Sequence, residues 1–481
     1  MRIFITGGTG FIGRALVPVL QRDGHTVVVW SRSEQRARAR LGADIEVVRA
    51  TDAPDDLVSA VATCDAVVNL AGEPILGGRW THRRRQILTA SRVGVTDRLV
   101  QAMARSTRRP GVFVSGSAVG YYGDRGTEPL TEASAPGQGF LADLARAWED
   151  AARKATALGV RVVQVRTGVV LGRDGGALAQ MLPPFRLGLG GPVGTGRQGF
   201  PWIHLHDLVR IIAATLRDNR YVGAINAVAP ESIDNRAFAR ALGRTLRRPA
   251  VLPVPAVALH AMYGEASTTL LSSQFVLPAA LQSLGFSFAF PTVQTALTDI
   301  VGGVDVQVRS VEDTTSAGRS ATGRRYLETR RPTHELVVTT RLESPVDQAF
   351  PFFSKAENLG LLTPASMGFS ITGGPPAIGE DAAIEYRLRV GGIPIAWRSR
   401  IVNWTPGERF VDFQETGPYR SWWHEHSFRR DGTSTVMEDR VRYAPPLGPL
   451  GRLANRLFIA PMLRRIFQYR ADVIRLRFGA A

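Results

Sequence analysis

The sequence predicts an α/β chain. Residues 1–300 read as a doubly wound parallel sheet, and residues 334–481 as an α+β unit of antiparallel strands closed by a long helix. Three observations carry this. The chain opens on an apolar strand running into a glycine-rich turn and a helix; short apolar runs then alternate with helical stretches to about residue 300; and beyond residue 333 strand follows strand before a last helical pattern.

Ile3, Phe4 and Ile5 form the core of the first strand, Arg2 to Ile5, and Phe11 to Leu20 continues as an apolar helix. Between them Gly7, Gly10 and Gly13 fall at G-x-x-G-x-x-G spacing. A strand-to-helix turn of this kind lets the backbone approach a pyrophosphate, while the N–H groups at the helix start supply partial positive charge. The turn is therefore assigned to cofactor binding through Gly7, Thr9, Gly10, Phe11, Ile12 and Gly13. Further strands are expected at Thr26 to Trp30, Ala66 to Leu70, Val112 to Ser115 and Arg161 to Arg166, with intervening segments long enough for right-handed crossovers. The segment 301–333 is polar, rich in Gly, Ser and Thr and without periodicity, and is expected to be a flexible linker. In the second unit His334 to Leu342 alternates as a strand and Pro345 to Phe353 reads as a helix. Strand-like runs follow at Ala382 to Val390, Ile395 to Asn403, Arg409 to Glu415, Ser421 to Arg429 and Thr433 to Tyr443. Leu453 to Phe478 closes the chain with Leu457, Phe458, Met462, Leu463, Ile466 and Phe467 at helical spacing. That order is the order of a helix-grip fold.

At 481 residues, two or three domains are expected. The 44% hydrophobic content predicts a soluble globular protein, no apolar run is long enough to span a membrane, and the opening core strand leaves no signal peptide, so a cytoplasmic location is expected. The only cysteine, Cys64, excludes an internal disulfide or a cysteine-rich metal site. A net charge of +17 invites a nucleic-acid reading, but the arginine clusters 83–85, 247–248 and 324–325 are short, scattered and free of aromatic interleaving. No specific nucleic-acid partner is expected.

Four further segments fall in order after the glycine turn. Val68 to Gly72 ends a strand where Leu70, Ala71 and Gly72 can pack beside the adenosine half of a dinucleotide; Val114 to Ala118 leads into Tyr121-Tyr122-Gly123; then come Val165 to Gly172 and Trp202 to Leu208. This set resembles the extended short-chain dehydrogenase/reductase superfamily of nucleotide-sugar epimerases and dehydratases, with its Rossmann-type sheet. Phe140-Leu141-Ala142, Trp148-Glu149, Pro184 to Pro192 and Trp202-Ile203-His204 narrow the resemblance to its "epimerase family protein" branch, whose C-terminal extension is matched by about 247–300. Residues 334–481 are similar to START-like domains of the polyketide-cyclase/dehydrase type, which implies an apolar small-molecule ligand there.

After the second strand, Ser31 and Arg32 stand where NAD-selective sites place an acid; a guanidinium suits a 2′-phosphate, so NADP(H) is expected. Arg92, in the branch's Ser91-Arg92-Val93 segment, is a second expected cofactor contact. The superfamily's acid/base tyrosine, with a lysine four residues on, has no counterpart. Lys154 is the only lysine of the first domain, and alignment on Glu149 puts Phe140 or Leu141 in the tyrosine's place and Leu144 or Ala145 in the lysine's. Ser117 matches the superfamily serine, and Tyr121 and Tyr122 are the remaining candidate phenols, with Arg125 or Arg166 to lower a pKa. His204 and Asp207 match a strand-end signature and are read as structural.

His424 and His426 share a strand face, with Glu438 and Asp439 on the next strand, but no third ligand stands at a persuasive spacing, so no metal site is assigned. The sequence thus points to an NADP(H)-binding, epimerase-like oxidoreductase fused to a ligand-binding domain. Its competitor is a non-catalytic NADP(H) sensor or scaffold. The substrate stays unknown, and a homodimer is one option that the sequence leaves open.

Overall fold

The computed structural model describes residues 1–479 apart from 43, 52–53, 174, 303–305, 312–320, 376 and 391. The chain forms two compact units, residues 1–38 with 45–302, and residues 39–44 with 303–481.

In the first unit the strands are β1 (Arg2–Thr6), β2 (Thr26–Ser31), β3 (Glu46–Arg49), β4 (Ala66–Asn69), β5 (Val112–Ala118), β6 (Pro129–Leu130), β7 (Arg161–Thr167), β8 (Val169–Leu171), β9 (Trp202–His204), β10 (Gly223–Ala227) and β11 (Phe275–Val276). Seven of them make one sheet in the order β10-β7-β5-β4-β1-β2-β3, every pair parallel. Because both faces are covered, the central strands are apolar throughout: Ile3, Phe4, Ile5, Val67, Val68, Phe113 and Val114 are all buried. The order reverses between β1 and β4, and this switch point opens the crevice in which doubly wound sheets hold ligands. β8 pairs with β9, and β6 with β11, as two short parallel ribbons.

The second unit contains β12 (Gln307–Ser310), β13 (His334–Leu342), β14 (Ser370–Gly373), β15 (Ala383–Val390), β16 (Ile393–Thr405), β17 (Arg409–Thr416), β18 (Ser421–Asp431) and β19 (Ser434–Ala444). They form one sheet in the order β12-β13-β19-β18-β17-β16-β15-β14, antiparallel throughout. The helix Ala460–Phe478 lays Leu463, Phe467, Ala471, Ile474 and Phe478 into the cores of this unit, as a helix-grip fold requires.

Of the expected linker, 303–305 and 312–320 lie outside the described residues. Within the rest of it, β12 adds an edge to β13, and the helix Ala321–Thr329 buries Tyr326 and Leu327 against Val402, Val411, Phe413 and Trp423. The Tyr326 hydroxyl accepts from Trp422 N at 2.9 Å and lies 3.2 Å from Trp422 O. Among the described residues no helix is long and apolar enough to cross a membrane.

Candidate functional site

The glycine turn leaves β1 toward the helix Phe11–Arg22, whose first residue is preceded by Gly10 with no side-chain cap. Gly7 adopts φ +69°, and a Cβ there would lie 2.5 Å from the Leu70 carbonyl oxygen. At Gly13 a Cβ would lie 2.5 Å from both Gly7 O and Gly8 Cα. Backbone is therefore packed on backbone where β1 meets β4, and the helix start has no side-chain cap. This cradle fits a pyrophosphate. The Phe11 ring packs where Cβ atoms on Gly172 and Gly175 would be, 2.7 and 2.4 Å away.

A buried relay joins the strand ends behind the turn. Thr6 Oγ1 donates to Asn69 Oδ1 at 2.5 Å, Asn69 Nδ2 to Thr96 Oγ1 at 2.8 Å, and Trp148 Nε1 to the same hydroxyl at 3.0 Å. Ser31 and Arg32 stand at the exit of β2, where Ser31 Oγ donates to Ser33 O and Arg32 is exposed. Arg92 sits in a π-helical turn, Ala90–Gly94. It donates to Glu73 O at 2.8 Å, lies 3.2 Å from where a Gly72 Cβ would be, and reaches over the Trp148 ring; burial lowers its pKa to about 10. It holds the Gly72–Glu73 backbone in place.

The candidate catalytic groups are drawn into a second buried network. Ser117 Oγ donates to Glu149 Oε1 at 2.7 Å, and Arg166 grips both Glu149 oxygens at 2.8 and 2.9 Å. A further Arg166 N–H reaches the Tyr122 hydroxyl at 2.9 Å, and that hydroxyl donates to Asn226 Oδ1 at 2.7 Å. Tyr122 is 0% exposed, Ser117 4% and Glu149 1%. Burial raises the Tyr122 pKa, and the Arg166 charge does not reverse it. Arg166 does act to lower that pKa, as expected, but desolvation outweighs the cation. Arg125 pairs with Glu128 instead. Burial also works against the Arg166 charge, but the hydrogen bonds and charge of Glu149 outweigh it and hold the guanidinium firmly protonated. Tyr121 is only half-buried and carries the Arg166 guanidinium 3.6 Å above its ring.

His204 and Asp207 act as anchors. Asp207 accepts from Ala289 N and Phe290 N at 2.9 Å each, and the His204 ring stacks 3.9 Å from that of Phe290.

In the second unit, alternate residues of three neighbouring strands meet on one inner face. Asp412 pairs with His424 across β17 and β18, and His426 with Asp439 across β18 and β19. His424 lies 3.2 Å from Asp412 and 3.1 Å from Asp439, and His426 3.0 and 2.7 Å from the same two carboxylates. Arg470, from the closing helix, donates to Asp439 at 2.9 Å. Burial disfavours ionising Asp412 and Asp439, but the histidines and Arg470 outweigh it and hold both pKa values low. Burial likewise disfavours a charged His424, yet Asp412 raises its pKa, whereas burial and the neighbouring His424 lower that of His426. Asp412, His426, Arg470, Tyr386 and Ser399 line one wall of a small cavity of about 30 Å³, otherwise walled by Phe352, Leu359, Ile384 and Phe410 among others. Asp412 was not legible beforehand: only the strand register brings it, twelve residues away, beside His424.

Over 310 residues the chain is 42% identical to the epimerase family protein SDR39U1 homolog, chloroplastic, of Arabidopsis thaliana, a match covering 63% of this chain and 87% of the relative. The chain belongs to the NAD dependent epimerase/dehydratase family. The model of that family matches residues 3–227 of this epimerase-family protein, a domain of unknown function (DUF1731) matches 254–300, and the polyketide cyclase / dehydrase and lipid transport family matches 333–478. The epimerase family protein SDR39U1 of Homo sapiens is 40% identical over 306 residues, 63% of the epimerase-family chain and 100% of the human one. A crystal structure of human SDR39U1 (isoform2) with NADPH superposes with a TM-score of 0.57 at 38% identity, covering 63% of this chain and 99% of that one. In this epimerase-family protein, Asp207 and His204 thus fasten the stretch matched by the domain of unknown function to the nucleotide-binding unit.

Proposed function

We propose that residues 1–300 bind NADP(H) at the Gly7–Gly13 turn and carry an epimerase- or reductase-type active site that works without the Tyr/Lys pair. The observation that carries this reading is the close fit of Gly7 and Gly13 against backbone at the β1/β4 switch point, where only glycine permits the tight turn that a pyrophosphate cradle needs. The NADPH in the human relative's crystal structure supports the choice of cofactor. Thr9, Gly10, Phe11 and Ile12 offer backbone groups to the phosphates; Leu70, Ala71 and Gly72 flank the adenosine side; Ser31 and Arg32 take the 2′-phosphate. Bound NADP(H) would supply the hydride. Replacement of Arg32 by alanine is expected to weaken NADPH binding about 10- to 100-fold while leaving NADH nearly unchanged, since one charge-assisted contact is lost only when the phosphate is present. Isothermal titration with both cofactors checks this, and equal losses for the two would refute the assignment.

Proton handling falls to Tyr121. Ser117 and Tyr122 spend their hydroxyls inside the protein, whereas Tyr121 is half-buried beside them in the helical turn Val119–Tyr122 that follows β5. Turnover of stereospecifically deuterated NADPH against carbonyl and sugar-nucleotide candidates tests the reading. Loss of label from one face only is expected, and Tyr121→Phe should slow it about 100-fold or more. The internal engagement of Ser117 and Tyr122 is also what favours the second reading, a non-catalytic NADP(H) sensor: tight binding with label retained and neither reduced nor epimerised product in every case decides for it. For residues 334–481 we propose binding of an apolar small molecule between the sheet and the closing helix. With a cavity of about 30 Å³, room for little more than a water or two, entry of such a ligand requires the Phe352 and Leu359 wall to open. We retain the cytoplasm as the expected location.

A further inference from the structure

We infer that Asp412, His424 and His426 form a site for a divalent first-row transition ion of the zinc type, with Asp439 and Arg470 as its supporting shell and the cavity as its open side. One ligand atom from each of the three residues lies within 4.8 Å of the others. The Asp412 oxygen stands 3.0 Å from His426 Nε2 and 3.2 Å from His424 Nδ1, close to the edge of about 3.3 Å that a tetrahedron with 2.0 Å bonds requires.

The opposite nitrogens make the case stronger. His424 Nε2 and His426 Nδ1 both point at Asp439 Oδ1, at 3.1 and 2.7 Å. Metal-bound imidazoles characteristically give their other N–H to a carboxylate, which fixes tautomer and ring orientation. Here one carboxylate serves both rings, and Arg470 Nε balances it at 2.9 Å.

All four ring nitrogens face carboxylate oxygens and a neutral imidazole has a single N–H, while Arg470 Nη2 also stands 3.2 Å from His426 Nδ1 as a donor. The two ring centroids are 3.8 Å apart in a buried site. A divalent ion held by the Asp412 carboxylate, His424 Nδ1 and His426 Nε2 leaves each ring neutral, with its one N–H directed at Asp439. Two imidazoles and a carboxylate suit zinc and its first-row neighbours over calcium or magnesium. Three protein ligands leave a fourth position, and Asp412 and His426 border a cavity with room for the water or oxygen ligand that would fill it. Neither nitrogen pair nor Asp412 takes part in the reading proposed for residues 1–300.

The test uses the full chain, stripped with chelator and reconstituted with Zn²⁺ or Co²⁺. About one equivalent of metal per chain by mass spectrometry is expected, with visible Co²⁺ bands of the intensity given by four-coordinate sites. Asp439→Asn should lower metal affinity about 10- to 100-fold, the effect of losing a supporting carboxylate, while Asp412→Asn and His424→Gln lose the site. Cys64→Ser should leave stoichiometry and bands unchanged. Near-ultraviolet circular dichroism, reporting Trp422 and Trp423, identifies any variant that has failed to fold, and the unaltered chain needs no variant at all. A folded, reconstituted chain with less than about a tenth of an equivalent of metal and no visible Co²⁺ bands overturns the proposal and leaves a proton-bridged histidine pair.

Discussion

Gly13→Ala is expected to cost about 3 kcal/mol of NADPH affinity or more, a loss of roughly a hundredfold. The new methyl group would stand 2.5 Å from two backbone atoms, Gly7 O and Gly8 Cα, neither of which can rotate away. The turn must spread, and spreading moves the helix-start N–H groups off the pyrophosphate they are arranged to meet. Overpacking adds about 1–3 kcal/mol of destabilisation to the first unit. Gly24→Ala supplies the control. Gly24 also has positive φ, +79°, but nothing lies within 4 Å of a Cβ there, so about 1–2 kcal/mol of backbone strain should appear without any change in affinity. Fluorescence titration with NADPH and thermal unfolding of both variants separate the terms. Retention of NADPH affinity within threefold in Gly13→Ala would show that the cofactor does not sit on this turn.

Arg166→Met should be the most destabilising single change in the first unit, by about 3–5 kcal/mol, because it leaves Glu149 charged, buried and without its bidentate partner. Ser117 Oγ alone cannot replace two N–H donors, and the Tyr122 hydroxyl loses its donor in the same step. Joint replacement, Glu149→Gln with Arg166→Met, should recover much of that loss, since the uncompensated charge then disappears. Denaturant unfolding followed by the transition that NADPH shifts reads both variants. A loss below about 1 kcal/mol for Arg166→Met would mean that water reaches Glu149 and that the network is looser than its geometry.

Much of the fold was legible because its signals are local. The glycine spacing, the apolar runs of β1, β2, β4, β5 and β7 and the alternation of β13 need no partner to be read. β3 and β10 were not. Glu46-Val-Val-Arg is a four-residue edge strand with a charge at each end, and Gly223-Ala-Ile-Asn-Ala carries little apolar bulk; both are strands because neighbours pair with them. Long-range pairing also hid the site chemistry. Ser117 reads as a free hydroxyl until Glu149, thirty-two residues on, is brought to 2.7 Å from it. Tyr121 and Tyr122 are neighbours in sequence, and only packing makes one half-exposed and the other inaccessible. Asp412 went unread as a ligand for the same reason: register, not spacing, sets it opposite His424.

The strand Gln307–Ser310 and the phenol of Tyr326 change where the second unit has to be cut. Its family match starts at residue 333, yet a fragment beginning there would bare the edge of β13 from His334 to Val337. A row of open N–H and C=O groups is a template for joining another sheet, so such a fragment invites self-association. It would also lose the hydroxyl that closes on the Trp422 backbone and the ring packed 4.6 Å from Phe413. What evolves as a recognisable module and what folds as a self-sufficient body are, at this boundary, two different stretches of chain.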